Sequence, residues 1–578
     1  MLRGKQIFPI LNWLPDYKIS HFRKDLLGGI TVAFLLIPQG MAYAVVAGLP
    51  PVYGLYAAIV PQIVYTFFGT SRHLSVGPVA MDSMIVASSI SLLTASRSVD
   101  YVALVISLSL IVGLTQLVLG VFKLGFITNL FSKPVLKGFV FAAAILICLN
   151  QVENLLGIEV ANYETFYELL GALYTSQGSI HLPTLILSIA GFGLIVVFRN
   201  RRLASVASLL VIFLSTGAVY FIDSQAFGIK MIGAIPSGLP SFSIPDISLI
   251  NLKMLIPIGL ALGLFSFVEA HAISKGLEDV DAKEGSAGTP NQELKALGLA
   301  NLIGSFFSAY PSGASFSRSV LNAKVGSVTL LAGLITSLSV LVTLLTLTSF
   351  FQYIPYPALG VIIIAAVFKL MDLNYARELR RGHRIEFTIF IVTILATLFV
   401  GMIAGLFTGM LLSILWLLFR QAVPHIAELG RVQGHSEFRN VDRFSDLETW
   451  EHILFLRIDS PLTFINSEAV RKAVLQKSQK RKGLTTIVID GSSINHIDDT
   501  AIRALRALKN WLAKRQIQLL FSDIKGPVRD TMQQTGFMQE LGKDHLFFSL
   551  QEATSFALGE NTDLAKFEKE AFQTNVSK

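Results

Sequence analysis

Two carboxylates stand where an apolar environment gives them no obvious role. Glu269 lies in Leu260-Ala261-Leu262-Gly263-Leu264-Phe265-Ser266-Phe267-Val268-Glu269-Ala270-His271, and Asp82 lies in Ala80-Met81-Asp82-Ser83 at the start of another apolar segment. A carboxylate in the middle of a membrane span costs ~2.5–3.5 kcal/mol even on lenient scales, so it marks an ion or proton pathway by default. Glu269 is therefore a functional-site candidate, with His271 as a second titrating group beside it. Asp82 is expected in the second turn of its helix, and two accounts of it compete. One is a carboxylate facing water and stabilised by the helix dipole, which is the favoured account; the other is a second coupling site. Two irregular stretches, Ser75-Val76-Gly77-Pro78-Val79-Ala80 and Ser312-Gly313-Ala314-Ser315-Phe316-Ser317-Arg318, each open an apolar segment. Non-helical backbone at membrane depth survives only where it lines a cavity, and the free N–H groups of a helix start favour an anion. The competing reading is a pair of ordinary Gly/Ser helix-packing surfaces. No Gly-x-x-x-x-Gly-Lys-Ser/Thr loop, no Cys/His metal spacing and no nucleophile and base pair stand out, so neither an enzyme nor a metal or other cofactor is expected.

The elements that must position these residues are membrane spans. Of 578 residues, 52% are hydrophobic and 15% charged, and the mean hydropathy is +0.60. Soluble proteins carry about 25% charged residues. The segment after Gly430 has that share and the part before it far less, which predicts a membrane domain followed by a soluble one. The net charge of +8 resides mostly in the membrane part, which argues for cytoplasmic loops and against a nucleic-acid partner. Apolar runs near 27–47, 102–122, 134–152, 181–198, 203–222, 254–274, 328–350 and 386–420, with shorter pieces between them, give about fourteen crossings or part-crossings. The segment Gln151–Pro183 has Glu153, Glu159, Glu164 and Glu168 and no Lys or Arg, whereas Arg199–Arg202 and Arg377–Arg384 read as basic loops. The positive-inside rule then puts the first outside and the other two in the cytoplasm, with both termini inside. The segments opened by the two Ser/Gly stretches are the third and tenth. They are seven apart, and an odd-numbered repeat inverts itself in the bilayer, so their helix starts approach the midplane from opposite sides.

The residues also resemble a family. Ile37-Pro38-Gln39-Gly40-Met41-Ala42-Tyr43-Ala44, Ala47-Gly48-Leu49-Pro50-Pro51 and Gly54-Leu55-Tyr56 are similar to the first-span signature of the SulP sulfate permeases and their animal anion-exchanger relatives. Phe68-Gly69-Thr70-Ser71-Arg72-His73-Leu74-Ser75-Val76-Gly77-Pro78 resembles the start of their third span. Asn291-Gln292-Glu293-Leu294, Ala296-Leu297-Gly298-Leu299-Ala300-Asn301 and Ser317-Arg318-Ser319 resemble their ninth and tenth. The resemblance implies an α-helical polytopic membrane protein with 7+7 inverted repeats, two half-helices, and core and gate parts, followed by an α/β STAS domain. It implies an anion site lined by Gln39 and Tyr43, with backbone donors around Gly77, Pro78, Val79 and Ala80 and at Ser315, Phe316 and Ser317, and positive potential from Arg318. It also links an acidic residue at the position of Glu269 to proton or sodium coupling. Sodium-type relatives place a hydroxyl one turn later; Ile273 stands there, which leans towards protons.

After Glu437 the pattern becomes short strands and amphipathic helices. Ile453–Ile458, Thr486–Asp490 and Ile517–Phe521 read as buried strands, and a helix starting near Asp499 presents Ala501, Leu505, Leu508 and Leu512 on one face. Ile497-Asp498-Asp499-Thr500-Ala501 resembles the STAS helix-start motif, in which a phosphorylatable Ser or Thr follows the first Asp in some members. Asp499 occupies that position, so phosphorylation there is not expected; Asp499 and Thr500 are regulatory candidates, and the competing reading makes them the cap of the helix. The expected organisation is an arm at 1–24, a transport domain at 25–422, a linker at 423–440, a STAS domain at 441–560 and a tail at 561–578. The expected function is sulfate uptake by proton symport in a homodimer of the plasma (inner) membrane. The rivals are bicarbonate, chloride or dicarboxylate transport, sodium coupling, and an exchanger or channel.

Overall fold

The computed structural model describes residues 8–94, 100–158, 166–175, 180–198, 207–221, 228–233, 238–246, 248–281, 289–346, 352–368 and 371–560. The chain divides into two compact units, Met1–Ser413 and Ile414–Lys578. Among the described residues fourteen helices carry the apolar segments. The first seven are α1 (Ile19–Val46), α2 (Val52–Phe68), α3 (Ala80–Thr94), α4 (Tyr101–Val121), α5 (Lys133–Asn150), α6 (Leu182–Phe198) and α7 (Ala207–Phe221). The second seven are α8 (Leu249–Asp281), α9 (Pro290–Ser305), α10 (Phe316–Val325), α11 (Leu331–Thr346), α12 (Tyr356–Phe368), α13 (Arg384–Phe399) and α14 (Met402–Ala422). Five helical stretches are long and apolar enough to cross a bilayer unaided, at Ile19–Val46, Tyr101–Val121, Lys133–Leu156, Lys253–Lys275 and Met402–Ala422. The half-helices α3 and α10 are among the shorter ones, because each spends part of its crossing as strand: β1 (Val76–Gly77) precedes α3 and β2 (Gly313–Ala314) precedes α10.

The helices sort into the two parts that the inverted repeat requires. Helices α1 to α4 pack with α8 to α11, chiefly α4 on α9, α11 on α1, α9 on α2 and α8 on α4, while α5 to α7 pack with α12 and α13. Lipid-soluble helices gain nothing from hydrophobic burial against each other, so close packing of small residues does the work. A Cβ added at Gly113 of α4 would fall on the Leu302 amide of α9, and one added at Gly54 of α2 would fall on the Gly40 carbonyl of α1. Both partners of the second contact are backbone, so neither can rotate away. Gly54→Ala is therefore expected to destabilise the protein by about 1–3 kcal/mol, read as a lower melting temperature of the full-length protein in detergent.

Several local expectations change. Helix α1 begins at Ile19, inside the arm assigned to 1–24. Arg377–Arg381 lie on a short helix, Leu373–Gly382, rather than in a loop, because Asp372 caps it by accepting from the Tyr375 amide at 3.0 Å. Glu153 and Glu168 likewise sit on short helices, Val152–Leu156 and Phe166–Thr175. Glu159, Glu164 and Arg199–Arg202 lie outside the described residues.

The second unit is built on a sheet of β3 (Ile426–Val432), β4 (Phe438–Asn440), β5 (Leu447–Glu448), β6 (Ile453–Ile458), β7 (Thr486–Asp490), β8 (Gln518–Ser522) and β9 (Leu546–Phe547). Its order is β4-β3-β6-β7-β8-β9, with β5 also on β3. Strands β6 to β9 run parallel, so crossovers must cover a face: α15 (Ser467–Gln479), α16 (Asp499–Ala513) and α17 (Gly526–Gln534). Helix α16 buries Ala501, Ile502, Leu505, Leu508 and Leu512, the face read from the sequence with Ile502 added. The cap is one residue earlier than expected. Asp498 accepts from the Ala501 amide at 2.8 Å and from the Phe464 amide at 2.7 Å, while Asp499 pairs with Arg503 one turn on and Thr500 is exposed. Asp498→Ala should thus weaken the start of α16 by about 0.5–2 kcal/mol. Asp499→Ala removes only an exposed i,i+4 pair worth ~0.3–0.5 kcal/mol. Hydrogen exchange of the α16 amides in the full chain separates the two.

Candidate functional site

The site is built by two strands too short to exist alone. Strands β1 and β2 pair antiparallel with Val76 opposite Ala314 and Gly77 opposite Gly313. Each feeds a helix at its C-terminal end, so an antiparallel pair sends α3 and α10 off in opposite directions with their N-termini close together. Backbone donors and acceptors of the strands find side-chain partners in the equivalent helices of the two repeats. Gln62 of α2 accepts from the Val76 amide at 2.6 Å, and Asn301 of α9 accepts from the Ser312 amide at 2.7 Å and donates to the Ser312 carbonyl at 3.0 Å. Glu293, also on α9, accepts from the Tyr65 hydroxyl at 2.6 Å and from the Thr70 and Ser71 amides at 2.9 and 3.0 Å, which fixes the approach to β1. Gly77 has φ +152°, a conformation that side-chain-bearing residues rarely adopt.

The first intrahelical bond of α3 is from the Ser83 amide to the Val79 carbonyl at 3.0 Å, and that of α10 is from the Ser319 amide to the Ser315 carbonyl at 2.9 Å. The amides of Ala80, Met81 and Asp82 on one side, and of Phe316, Ser317 and Arg318 on the other, thus belong to the unsatisfied first turns of two opposed helices. Ser315 makes no side-chain cap. Two of the expected donors are spent or missing. The Ser315 amide donates to the Ser75 carbonyl at 3.0 Å within the strand pairing, and Pro78 has no N–H; its carbonyl accepts from Arg318 Nη1 at 2.9 Å.

Arg318 does not reach a membrane surface. It is 0% exposed, donates through Nε to Ser75 Oγ at 3.3 Å, and leaves Nη2 without a partner. A Cβ at Gly77 would stand 3.5 Å from that Nη2, so the unused donor lies against the strand pair. Helix α1 is brought to the same place by its own glycine: a Cβ at Gly40 would come within 3.3 Å of the Pro78 ring. Gln39 and Tyr43 on α1 are both buried, and Gln39 Oε1 has no partner. Tyr43 lies near Arg318 and Glu269. Val79 and Ala80 are buried, whereas Ser317 is exposed and Phe316 is 53% exposed, so those two offer the site their backbone and not their side chains.

Helix α8 closes the arrangement by packing on β2, α3 and α10. Glu269 is half-buried there. Asp82 departs from expectation on two counts. It stands in the first turn of α3 and not the second, and it is 1% exposed and faces no water: Oδ2 accepts from Ser266 Oγ of α8 at 2.9 Å. Ser266, Tyr310 and Gln62 escaped the sequence reading as site residues, and Asn301 entered it only as part of the ninth-span motif. Ser266 lies three residues before Glu269, and Gln62 is a lone amide in an apolar run, so both left a faint signal. Tyr310, whose hydroxyl is 3.0 Å from Ser83 Oγ, left none.

Fourteen helices in inverted repeats, with paired strands bringing two half-helices end to end, define an integral membrane protein with the architecture of anion transporters. The pattern of the Sulfate permease family matches residues 22–393 and that of the STAS domain residues 445–553. The chain belongs to the sulfate permease family. It is 33% identical to sulfate transporter 4.1, chloroplastic, of Arabidopsis thaliana, over 96% of this chain and 82% of that one. A probable sulfate transporter of Mycobacterium tuberculosis is 31% identical over 93% of this chain and 96% of its own. Among solved structures, SLC26A9 superposes with a TM-score of 0.87 at 24% identity, covering 99% of this chain and 95% of that one. The transmembrane domain of a cyanobacterial bicarbonate transporter, BicA, gives 0.59 at 22% identity, covering 68% and 98%.

Proposed function

We propose that the chain takes up sulfate by proton symport, holding the anion between the N-termini of α3 and α10. The observation that carries this reading is the β1–β2 pairing, which aims two sets of unsatisfied helix-start amides and the unpartnered Nη2 of Arg318 at one volume. A tetrahedral dianion suits such a site: amides supply short donors from two directions, and a buried guanidinium supplies the full charge. Gln39 and Tyr43 close the third side, since rotation of the Gln39 amide presents its NH2 and the tyrosine hydroxyl donates. Glu269 is the coupling acid, because it is an intramembrane carboxyl that is not fully enclosed and lies near Tyr43. Ile273, one turn after Glu269, has no oxygen to offer a sodium ion. The basic helix Leu373–Gly382 supports a cytoplasmic position for its face of the membrane by the positive-inside rule.

The test is uptake of labelled sulfate by full-length protein in proteoliposomes under an imposed pH gradient, a sodium gradient, or neither. Concentrative uptake under the pH gradient alone is the expected result. Accumulation driven only by sodium overturns the proton assignment, and transport of bicarbonate, chloride or a dicarboxylate without sulfate overturns the substrate.

A further inference from the structure

We infer that Asp82 is a second proton carrier, loaded through Glu269 and Ser266, so that each sulfate moves with two protons and no net charge. This rests on the reading of Glu269 as the proton-coupling acid and adds a residue and a stoichiometry to it.

The geometry is that of a carboxyl enclosed on every side. Asp82 Oδ2 accepts from Ser266 Oγ, and Oδ1 has no hydrogen-bond partner. Gly313 of β2 makes room for it: a Cβ there would overlap Asp82 Oδ2 and come within 2.7 Å of Ser266 Oγ. Ser266 and Glu269 are three residues apart on α8 and share a face, so the serine that holds Asp82 is carried on the side of α8 that presents Glu269, and the two acids lie near one another. Among the described residues neither carboxyl forms an ion pair. Of the charged and titratable groups around them, Tyr43 from α1 lies near Glu269 and Tyr310 before β2 lies near Asp82, Arg318 from α10 lies near both tyrosines, and His271, two residues after Glu269, lies on another face of α8. Arg318 spends two of its three nitrogens on Ser75 and Pro78. Two carboxylates near one another in an apolar interior repel and are poorly solvated, so once a bound dianion takes up the charge of Arg318, cations are drawn onto them. A proton is the one cation that needs no cavity.

The two acids are not equivalent. Glu269 is half-buried and Asp82 enclosed, so the route to Asp82 passes through α8. A serine hydroxyl accepts one proton while donating its own: with the Glu269 side chain turned onto Ser266, the Glu269 acid proton passes to Ser266 Oγ, the Ser266 proton passes to Asp82 Oδ2, and Glu269 takes a second proton from water on its exposed side. The charge balance then closes. The loaded site holds Arg318 at +1, two neutral acids and a dianion, a sum of −1; the empty site holds Arg318 at +1 and two carboxylates, again −1. With one proton per turnover the loaded carrier would instead differ from the empty one by a full charge.

The experiment is sulfate accumulation at equilibrium in proteoliposomes with the membrane potential clamped by potassium and valinomycin. For the native chain a tenfold proton gradient should support about a hundredfold sulfate ratio, independent of potential. For Asp82→Asn the ratio should fall to about tenfold and become sensitive to potential, since one proton now accompanies two negative charges. As a second measurement, independent of transport, calorimetry of sulfate binding to the detergent-solubilised full chain in buffers of different ionisation enthalpy counts the protons taken up: two in the native chain and one in Asp82→Asn. A native ratio of about tenfold, or an Asp82→Asn variant that keeps the hundredfold ratio, overturns the inference, and retention by Asp82→Asn with loss in His271→Ala moves the second proton to the histidine. A native chain that accumulates nothing under a pH gradient defeats the underlying proton-coupling reading instead.

Discussion

Glu269→Gln is expected to abolish proton-driven sulfate accumulation while sulfate–sulfate exchange across the same liposomes survives. Glutamine keeps the shape and most of the polarity of the side chain but has no proton to release, so the variant separates coupling from binding. The effect is the largest anticipated anywhere in the chain because the proposed route to Asp82, which Ser266 holds, passes through Glu269. Losing it removes both protons, whereas losing Asp82 removes one. The measurement is the steady-state internal sulfate under an inward proton gradient, with counterflow of labelled sulfate as the control for an intact binding site. Accumulation equal to that of the native chain would transfer the coupling role to Asp82, His271 or sodium.

Arg318→Ala is expected to weaken sulfate binding by about 10- to 150-fold, the equivalent of the ~1.5–3 kcal/mol that a hydrogen bond to a charged group contributes. Two effects add. The guanidinium is the one cation placed against the strand pair by the described structure, with Nη2 unpaired, and its other nitrogens tie Ser75 and Pro78 to α10. The second effect is structural and would disturb any ligand equally, so the comparison of anions separates them: a divalent anion should lose more affinity than a monovalent one, because the Coulomb energy scales with the charge. Ser319→Ala is the companion variant. Its hydroxyl accepts from the Ser75 amide at 2.9 Å and carries no charge, so it should loosen the strands without changing the divalent preference. Ser317→Ala should do least, since its side chain is exposed and the neighbouring amides remain. Equilibrium binding to folded protein is the required measurement, and unchanged sulfate affinity in Arg318→Ala would place the guanidinium outside the site and leave only the helix ends to select an anion.

The span pattern, the inversion of the repeat and the elements of the STAS domain were legible from the residues alone because each is a local property. A run of ~20 apolar residues crosses a bilayer whatever it packs against. Ala501, Leu505, Leu508 and Leu512 share a face by helical geometry alone, and an intramembrane carboxylate such as Glu269 is conspicuous because of its cost. Tertiary structure decided which polar groups are already satisfied. The sequence offers Ser315 and Pro78 as donors, and only the pairing of β1 with β2 shows the Ser315 amide bonded to Ser75 and the Pro78 carbonyl bonded to Arg318. It offers Asp499 and Thr500 as a cap, and only the folded chain shows Asp498 holding Ala501 and Phe464 together. Asp82 belongs with these: read along the chain it is a residue near a helix start and free to face water, and it becomes an enclosed acid because Ser266 and Gly313 arrive from far along the sequence. Arg318 and Ser75 meet across 243 residues. A hydrogen bond satisfied at that separation leaves no trace in local periodicity, since what selects the partner is the approach of two backbones that the residues between them bring together.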